Sequence, residues 1–323
     1  MSKMCNTFFN NIENFTITVD DMKDRLPRQK VIQAIILYET QDYAIFRTEG
    51  GEELNIEKIT LTDDKSVNLP VLLGRKLKAI QRRVGHAIIR THKPDYNCFF
   101  ETTEGGVKGL CGECPECILR GAVVQMQNKR YNIQSRVFYS AYFSVCEDRD
   151  VTRIITLNAV DDKWKVTGAA LTAQTHIAPQ VYIPAIISFY SVTKNELIYG
   201  LKTIKRGVRV GARTSVEGIV KPHAVALVGS FFEKFTPLEL TIHVIKEERP
   251  PYTLHRVIES IKNYIEKNKS KETTVIYEDF LEKAEEVEDK DLIDELYNNE
   301  VEKFKEVLKS LLEGKKARES ENK

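Results

Sequence analysis

Four cysteines carry the strongest chemical signal in the sequence. Cys111-Gly-Glu-Cys114-Pro-Glu-Cys117 overlaps two CxxC steps, and Cys98 lies upstream to complete a set of four. Zinc takes four such ligands in a tetrahedron, with sulfur at about 2.3 Å from the metal. A site closed by four thiolates leaves no position for substrate, so the expected role is structural. His92 is the alternative to Cys98 as fourth ligand. Ferredoxins also use Cys-x2-Cys-x2-Cys, but Glu113 and Glu116 put carboxylates inside this ligand loop, which favours zinc over an iron–sulfur cluster. Cys146 reads as a buried strand residue, and Cys5 is assigned no role.

Positive charge forms the second signal. Val71 to Pro94 contains no acid but holds Arg75, Lys76, Lys78, Arg82, Arg83, Arg90 and Lys93. On a helix, Arg75, Lys78 and Arg82 share one face, opposite an apolar stripe. A face of this kind can neutralise phosphates and gain by counterion release. The bland alternative is a solvated helix face, weakened here because no Asp or Glu offsets the cations one turn away. A further acid-free run reads Lys202, Lys205, Arg206, Gly207, Arg209, Gly211, Arg213, Thr214, Ser215. Its glycines let backbone N–H groups approach an anion closely. Lys202, Lys205 and Arg206 also suit the negative end of a helix dipole, which does not account for Arg209 and Arg213. Tyr96, Phe99, Phe100, Tyr131 and Tyr182 interleave with these segments and could stack on bases.

Catalytic constellations are missing. There is no HExxH, GxSxG or Walker A motif, and the six His are scattered. Asp20-Asp21 and Asp161-Asp162 could hold Mg²⁺, but read more simply as polar turns.

These residues need elements to place them. The chain has 323 residues, 42% hydrophobic and 29% charged, which fits a soluble globular protein able to bury a full core. No apolar stretch approaches a membrane span of about 20 residues, Met1–Asn10 lacks the apolar core and cleavage site expected of a secretory signal, and clustered cysteines suit a reducing cytoplasm. Val31–Tyr38 reads as a strand turning into Tyr43–Thr48 before Gly50–Gly51. A helix is expected from Asn68 as cap, with Pro70 in its first turn and Leu69, Leu73, Leu77, Ile80 and Val84 as its stripe. Residues 94–135 lose periodicity and read as an insertion. Val137–Val145, Ile154–Val160 and Val181–Val192 return as strands. A capping box, Thr193 with Glu196, opens a second helix bearing Leu197, Ile198, Leu201 and Ile204 and ending at Gly207. Ala224–Phe232 and Leu238–Ile245 then read as strands.

The order of elements suits an α+β fold with a ferredoxin-like (split βαβ) sheet, as in RNA-recognition domains. Residues 1–93 and 136–250 make the core, 94–135 the zinc-binding insertion, and 251–323 a C-terminal helical domain ending in a polar tail, Gly314–Lys323. That last region is acidic, with 14 Lys and Arg against 19 Asp and Glu from residue 254 onward, leaving 34 against 28 before it. An acidic region is expected to stand away from a polyanion.

The cysteine-rich insertion, the segment TGAALTAQT (Thr167–Thr175) and GVRVGARTSVEGIVKPH (Gly207–His223) together resemble the backbone subunits of type I-D CRISPR effector complexes. These form the Csc family within a large superfamily of crRNA-binding backbone proteins. The resemblance spans about residues 15–250 and is most specific at Cys111–Arg120 and Gly207–His223. It implies an RRM-like palm with zinc-binding, lid-like and helical additions. It further implies copies that polymerise along a guide crRNA beside other effector subunits, grip single-stranded RNA without reading sequence, and meet target nucleic acid through the guide. Type I backbones do not cut RNA. Two other readings stay open on the residues alone: a Mg²⁺-dependent RNA nuclease of the same superfamily using Asp21 or Asp162, and a zinc-containing protein–protein adaptor.

Overall fold

The computed structural model describes residues 3–23, 28–48, 53–103, 106–126, 129–160 and 167–310. Helix α1 (Lys3–Asn10) precedes β1 (Val31–Thr40), an almost unbroken apolar run. β2 (Ile56–Thr62) and β3 (Lys65–Leu73) pair as a hairpin that leads directly into α2 (Gly74–His92). The cysteine region holds two small hairpins flanking helix α3. They are β4 (Glu101–Thr103) with β5 (Gly106–Lys108), then α3 (Pro115–Arg120), then β6 (Ala122–Met126) with β7 (Lys129–Ile133). β8 (Val137–Phe138), β9 (Ala141–Phe143) and one helical turn, α4 (Asp148–Val151), lead to a long hairpin, β10 (Thr152–Val160) with β11 (Thr167–Ile177). β12 (Tyr182–Tyr190), α5 (Lys194–Arg206) and β13 (Val220–Ser230) follow. α6 (Pro237–Glu247), α7 (Leu254–Asn268), β14 (Thr274–Ile276), α8 (Phe280–Glu285) and α9 (Asp289–Leu296) lie beyond, before a π-helical turn at Tyr297–Val301.

The main sheet is antiparallel with strand order β14-β13-β1-β12-β8. β1 is its central strand, and successive side chains of a strand point to opposite faces. Ile32, Ala34, Ile36 and Tyr38 enter a core with Leu77 and Ile89 of α2 and Leu197, Leu201 and Ile204 of α5. Ile35 and Leu37 enter a second core with Leu240 and Val244 of α6 and Val257, Ile261 and Ile265 of α7. Both faces of β1 are covered by helices, so its sequence is continuously apolar rather than alternating. Each fully buried Ile or Leu contributes about 1.5–3 kcal/mol of transfer free energy. The fold is therefore mixed α and β, as expected.

Several local expectations are corrected. Residues 65–73 form strand β3 rather than the first turn of a helix. Val67, Leu69 and Val71 alternate inward against exposed Ser66 and Asn68, and the strand pairs with β2 on one side and β9 on the other. α2 starts at Gly74, where a Cβ would run into the Ser140 carbonyl. Leu238–Ile245 is helical. Thr236 and Glu239 close a capping box, Pro237 occupies the first turn, and Leu240 and Val244 bury at a helical spacing. Tyr43–Thr48 contributes only a bridge between Ala44 and Ile177. Val137–Val145 divides into β8, paired with β12, and β9, paired with β3. The box at Thr193 and Glu196 does cap α5.

The C-terminal region is built into the sheet and its cores. β14 pairs with β13, while Phe280, Leu281, Ala284, Leu292, Ile293 and Leu296 join the core of α2 and α5. No helix among the described residues is long and apolar enough to cross a membrane.

Candidate metal centre and basic surface

The sulfur atoms of Cys98, Cys111, Cys114 and Cys117 all lie within 4.8 Å of one another. Cys98 and Cys117 are 3.6 Å apart at sulfur. Sulfurs at about 2.3 Å from a tetrahedral zinc are separated by about 3.8 Å, whereas a disulfide needs about 2.05 Å. All four thiols are free, and three are buried. The donor set and its spacing fit a metal ion such as zinc. His92 belongs to no such cluster and lies at the end of α2. Cys146 is half-buried in the bend after β9 rather than buried on a strand, its thiol pushed up to about 11 by burial.

Local sequence explains how the loop closes. Gly112 adopts a φ of 73°, which side-chain-bearing residues avoid, and a Cβ there would meet Val124 and Tyr131. Cys114 is the N-cap of α3, its sulfur accepting from the Cys117 amide, with Pro115 at the first helical position. Hydrogen bonds from Cys111 and the other thiols pull Cys98 down, while burial pushes Cys114 up. Four such groups cannot all ionise in one buried pocket without a cation among them. A cavity of about 390 Å³ is lined by Cys98, Cys111 and Cys114 together with Lys93, Tyr297 and Lys305.

The cysteine loop is anchored to α2 and α5 by buried polar groups. Glu116 and Arg120, one turn apart on α3, form an ion pair in which both side chains are fully buried. Arg120 also donates to the Tyr139 hydroxyl at 3.1 Å and to Thr203 of α5, and Tyr139 donates to Gln81 of α2 at 2.7 Å. The carboxylate has room because Gly85 of α2 lacks a side chain. A Cβ there would overlap Glu116 and the Tyr199 hydroxyl. Sequence reading missed this pair, although its i, i+4 spacing is visible as Glu116…Arg120.

The basic residues divide into three groups. Arg75, Ala79, Arg83 and Ala87 form the solvent stripe of α2, with Lys76 half-buried beside it. Among the described residues no ion pair engages Arg75, Lys76 or Arg83. Lys78 and Arg82 are turned inward. Burial, then the repulsion of Arg82 and Arg120, lowers Lys78, and Arg82 lies against Cys117. The end of α5 forms the second group. Lys202 is 1% exposed and pairs with Asp289 at 2.9 Å and Glu285 at 3.7 Å. Lys205 pairs with Glu282, and Arg206 holds Glu285 at 2.5 Å and Asp289 at 2.6 Å. The acidic C-terminal helices thus pack on these cations rather than standing apart. The third group is the glycine-punctuated loop. Arg209 donates to the Thr214 carbonyl at 3.1 Å, while Arg213 is exposed, with Glu217 at 3.7 Å. Gly207 starts this loop against the inward face of α2, its Cβ position 3.4 Å from buried Gln81 and 3.6 Å from Ile80.

Asp21 accepts from the Thr18 amide at 3.0 Å and its hydroxyl at 2.9 Å, which holds its carboxyl below the usual range. That is the polar-turn reading. Asp161 and Asp162 lie outside the described residues. Among the described residues, the four cysteines are the one cluster with metal-ligand spacing. Of the aromatics, Tyr182 is buried, Tyr96 and Tyr131 are half-buried, and Phe99 and Phe100 are exposed.

A family model described as Csc2 Crispr matches residues 16–323. Among solved structures, the crystal structure of Thermofilum pendens Csc2 superposes with a TM-score of 0.71 at 18% identity, covering 94% of this chain and 95% of that one. A chain of a CRISPR RNA-guided surveillance complex gives a TM-score of 0.46 at 11% identity, over 72% of this chain and 82% of its own. A chain of a type IV-B CRISPR complex gives 0.41 at 12% identity, over 59% and 89%. No curated protein matches. A model spanning all but the first fifteen residues, together with the matching fold, places this chain in the Csc2 CRISPR family.

Proposed function

We propose that the chain is a non-catalytic backbone subunit of a CRISPR effector complex, binding single-stranded guide crRNA through its phosphates. Copies of it would lie along the RNA beside other effector subunits, with target nucleic acid reached through the guide. The observation that carries this reading is the stripe of Arg75, Lys76 and Arg83 on α2, free of ion pairs among the described residues; Arg213 is exposed in the loop after α5. Phosphate contacts give affinity without base preference. Lys202, Lys205 and Arg206 are already neutralised by Glu282, Glu285 and Asp289, so their part is to hold the C-terminal helices on α5. Lys78 and Arg82 face the cysteine loop. Zinc would sit in the thiolate quartet as a structural ion that sets the loop against α2. Asp21 is tied into a polar turn by the Thr18 amide and hydroxyl, which favours binding over cleavage at that residue.

Ultraviolet crosslinking to single-stranded poly-U RNA, with the attached peptides identified, tests the assignment. Crosslinks are expected on peptides from 74–92 and 207–223. Crosslinks confined to 251–310, or none at all at low salt, would overturn it.

A further inference from the structure

Every sulfur of the quartet meets a hydrogen-bond donor, and two of these donors come from side chains outside the ligand loop. The Cys111 amide reaches Cys98 Sγ at 3.3 Å, the Glu113 amide reaches Cys111 Sγ at 3.4 Å, and the Cys117 amide reaches Cys114 Sγ at 3.4 Å. Cys117 has no backbone donor among the described residues. Its sulfur is met instead by Arg82 Nη2 from α2, at 3.8 Å. Cys114 receives a second donor, the Tyr96 hydroxyl, at 3.2 Å. Tyr96 Oη in turn lies 2.7 Å from His86 Nδ1.

The single proton of a hydroxyl fixes the direction of this chain of bonds. If Tyr96 donates to Cys114, it cannot also donate to His86, so His86 must donate from Nδ1. That leaves Nε2 as the bare ring nitrogen. His86 Nε2 is indeed a buried atom with no hydrogen-bond partner. The donors therefore run from His86 to Tyr96 to Cys114, all aimed at sulfur.

We propose that Arg82, Tyr96 and His86 are positioning residues of the metal centre, which they complete from α2 and the turn after it. This rests on the reading that the quartet holds a divalent ion. Four thiolates around one dication carry two negative charges in excess, in a pocket where three of the sulfurs are buried. A guanidinium beside Cys117 offsets part of that charge, and the hydroxyl withdraws density from Cys114. Outer partners of this kind typically change metal affinity by about 10–100-fold. On this assignment Arg82, which lies in the acid-free run, serves the metal and not the RNA, and α2 is a wall of the metal site.

The test uses the full chain loaded with Co²⁺ or Cd²⁺, comparing Tyr96→Phe, Arg82→Met and Arg82→Lys with wild type. Tyr96→Phe and Arg82→Met should each weaken metal retention against a competing chelator by about 10–100-fold. Each should also shift the sulfur-to-cobalt charge-transfer band or the cadmium resonance, a change that a packing defect elsewhere would not produce. Arg82→Lys, which keeps the charge, should recover part of the loss. If Tyr96→Phe and Arg82→Met retain metal within about threefold of wild type, with unchanged spectra, the proposal is wrong. A wild-type chain that takes up no dication would overturn the metal reading itself, and the proposal with it.

Discussion

Replacing Arg120 by Met would leave the Glu116 carboxylate without its partner in a site where both side chains are fully buried. Breaking a buried ion pair by removing one member costs about 3–5 kcal/mol, because the remaining charge is uncompensated. The lost bonds to Tyr139 and Thr203 push the expected cost toward the upper end. Removing both charges is a different perturbation. Arg120→Met with Glu116→Gln leaves no buried ion, and exchanging a buried ion pair for well-packed uncharged residues is often neutral or stabilising by about 1–4 kcal/mol relative to the intact pair. The double variant should therefore be more stable than Arg120→Met alone. Guanidinium unfolding of metal-loaded protein measures both, provided the m-value is unchanged. The pH dependence gives a second readout. Burial raises Glu116 above its usual range, so without Arg120 the folded state holds a proton that the unfolded chain releases. The stability of Arg120→Met should be highest at low pH and fall as pH rises. A loss below about 1 kcal/mol at neutral pH, or a double variant no better than the single, would refute the claim that this pair anchors the cysteine loop to α2 and α5.

Gly85→Ala should destabilise by at least about 1–3 kcal/mol, since its Cβ overlaps Glu116 and Tyr199; thermal unfolding checks it. Glu300 is buried, accepts from the Thr193 hydroxyl at 2.6 Å, and is raised to about 7 by burial and the nearby Glu196. A folded pKa above the unfolded one means that its contribution is full below about pH 4.5 and lost as pH rises through 7. Glu300→Gln should flatten that decline in denaturant midpoints measured from pH 5 to 8. Cys114→Ser should abolish stoichiometric metal in elemental analysis and loosen α2 as well as the cysteine loop, seen as faster amide exchange in both.

How much of this was legible in the sequence depended on the range of the interactions. The cysteine quartet is a short-range pattern, and its spacing alone brings the four sulfurs together. The α5 cap is local too, a Thr and a Glu three residues apart. The α6 helix has an equally local cap at Thr236 and Glu239, but the alternating apolar residues of LELTIHVI masked it. The α2 start was misplaced because Leu69, Leu73 and Leu77 satisfy a helical spacing while Val67, Leu69 and Val71 satisfy a strand. Pairing with β2 and β9 decided between them, and those partners lie well away in the chain for β9. The fate of the α5 cations was not readable at all. Lys205 and Arg206 meet acids 77 to 83 residues later, across a core that no local pattern reveals. The same holds for Arg82, whose neighbour Cys117 is 35 residues on.

The most direct test of RNA binding through the α2 stripe is the salt dependence of affinity for single-stranded RNA. Contacts from Arg75, Lys76, Arg83 and Arg213 to four phosphates predict a slope of log K against log salt near about −3, at about −0.7 per single-strand phosphate. Replacing Arg75, Lys76 and Arg83 by Ala should flatten the slope by about two units and weaken all sequences alike. Replacing Arg206 should leave the slope as it is. A salt-independent affinity, an unchanged slope in the triple variant, or a sequence preference that survives poly-U competition would contradict the account.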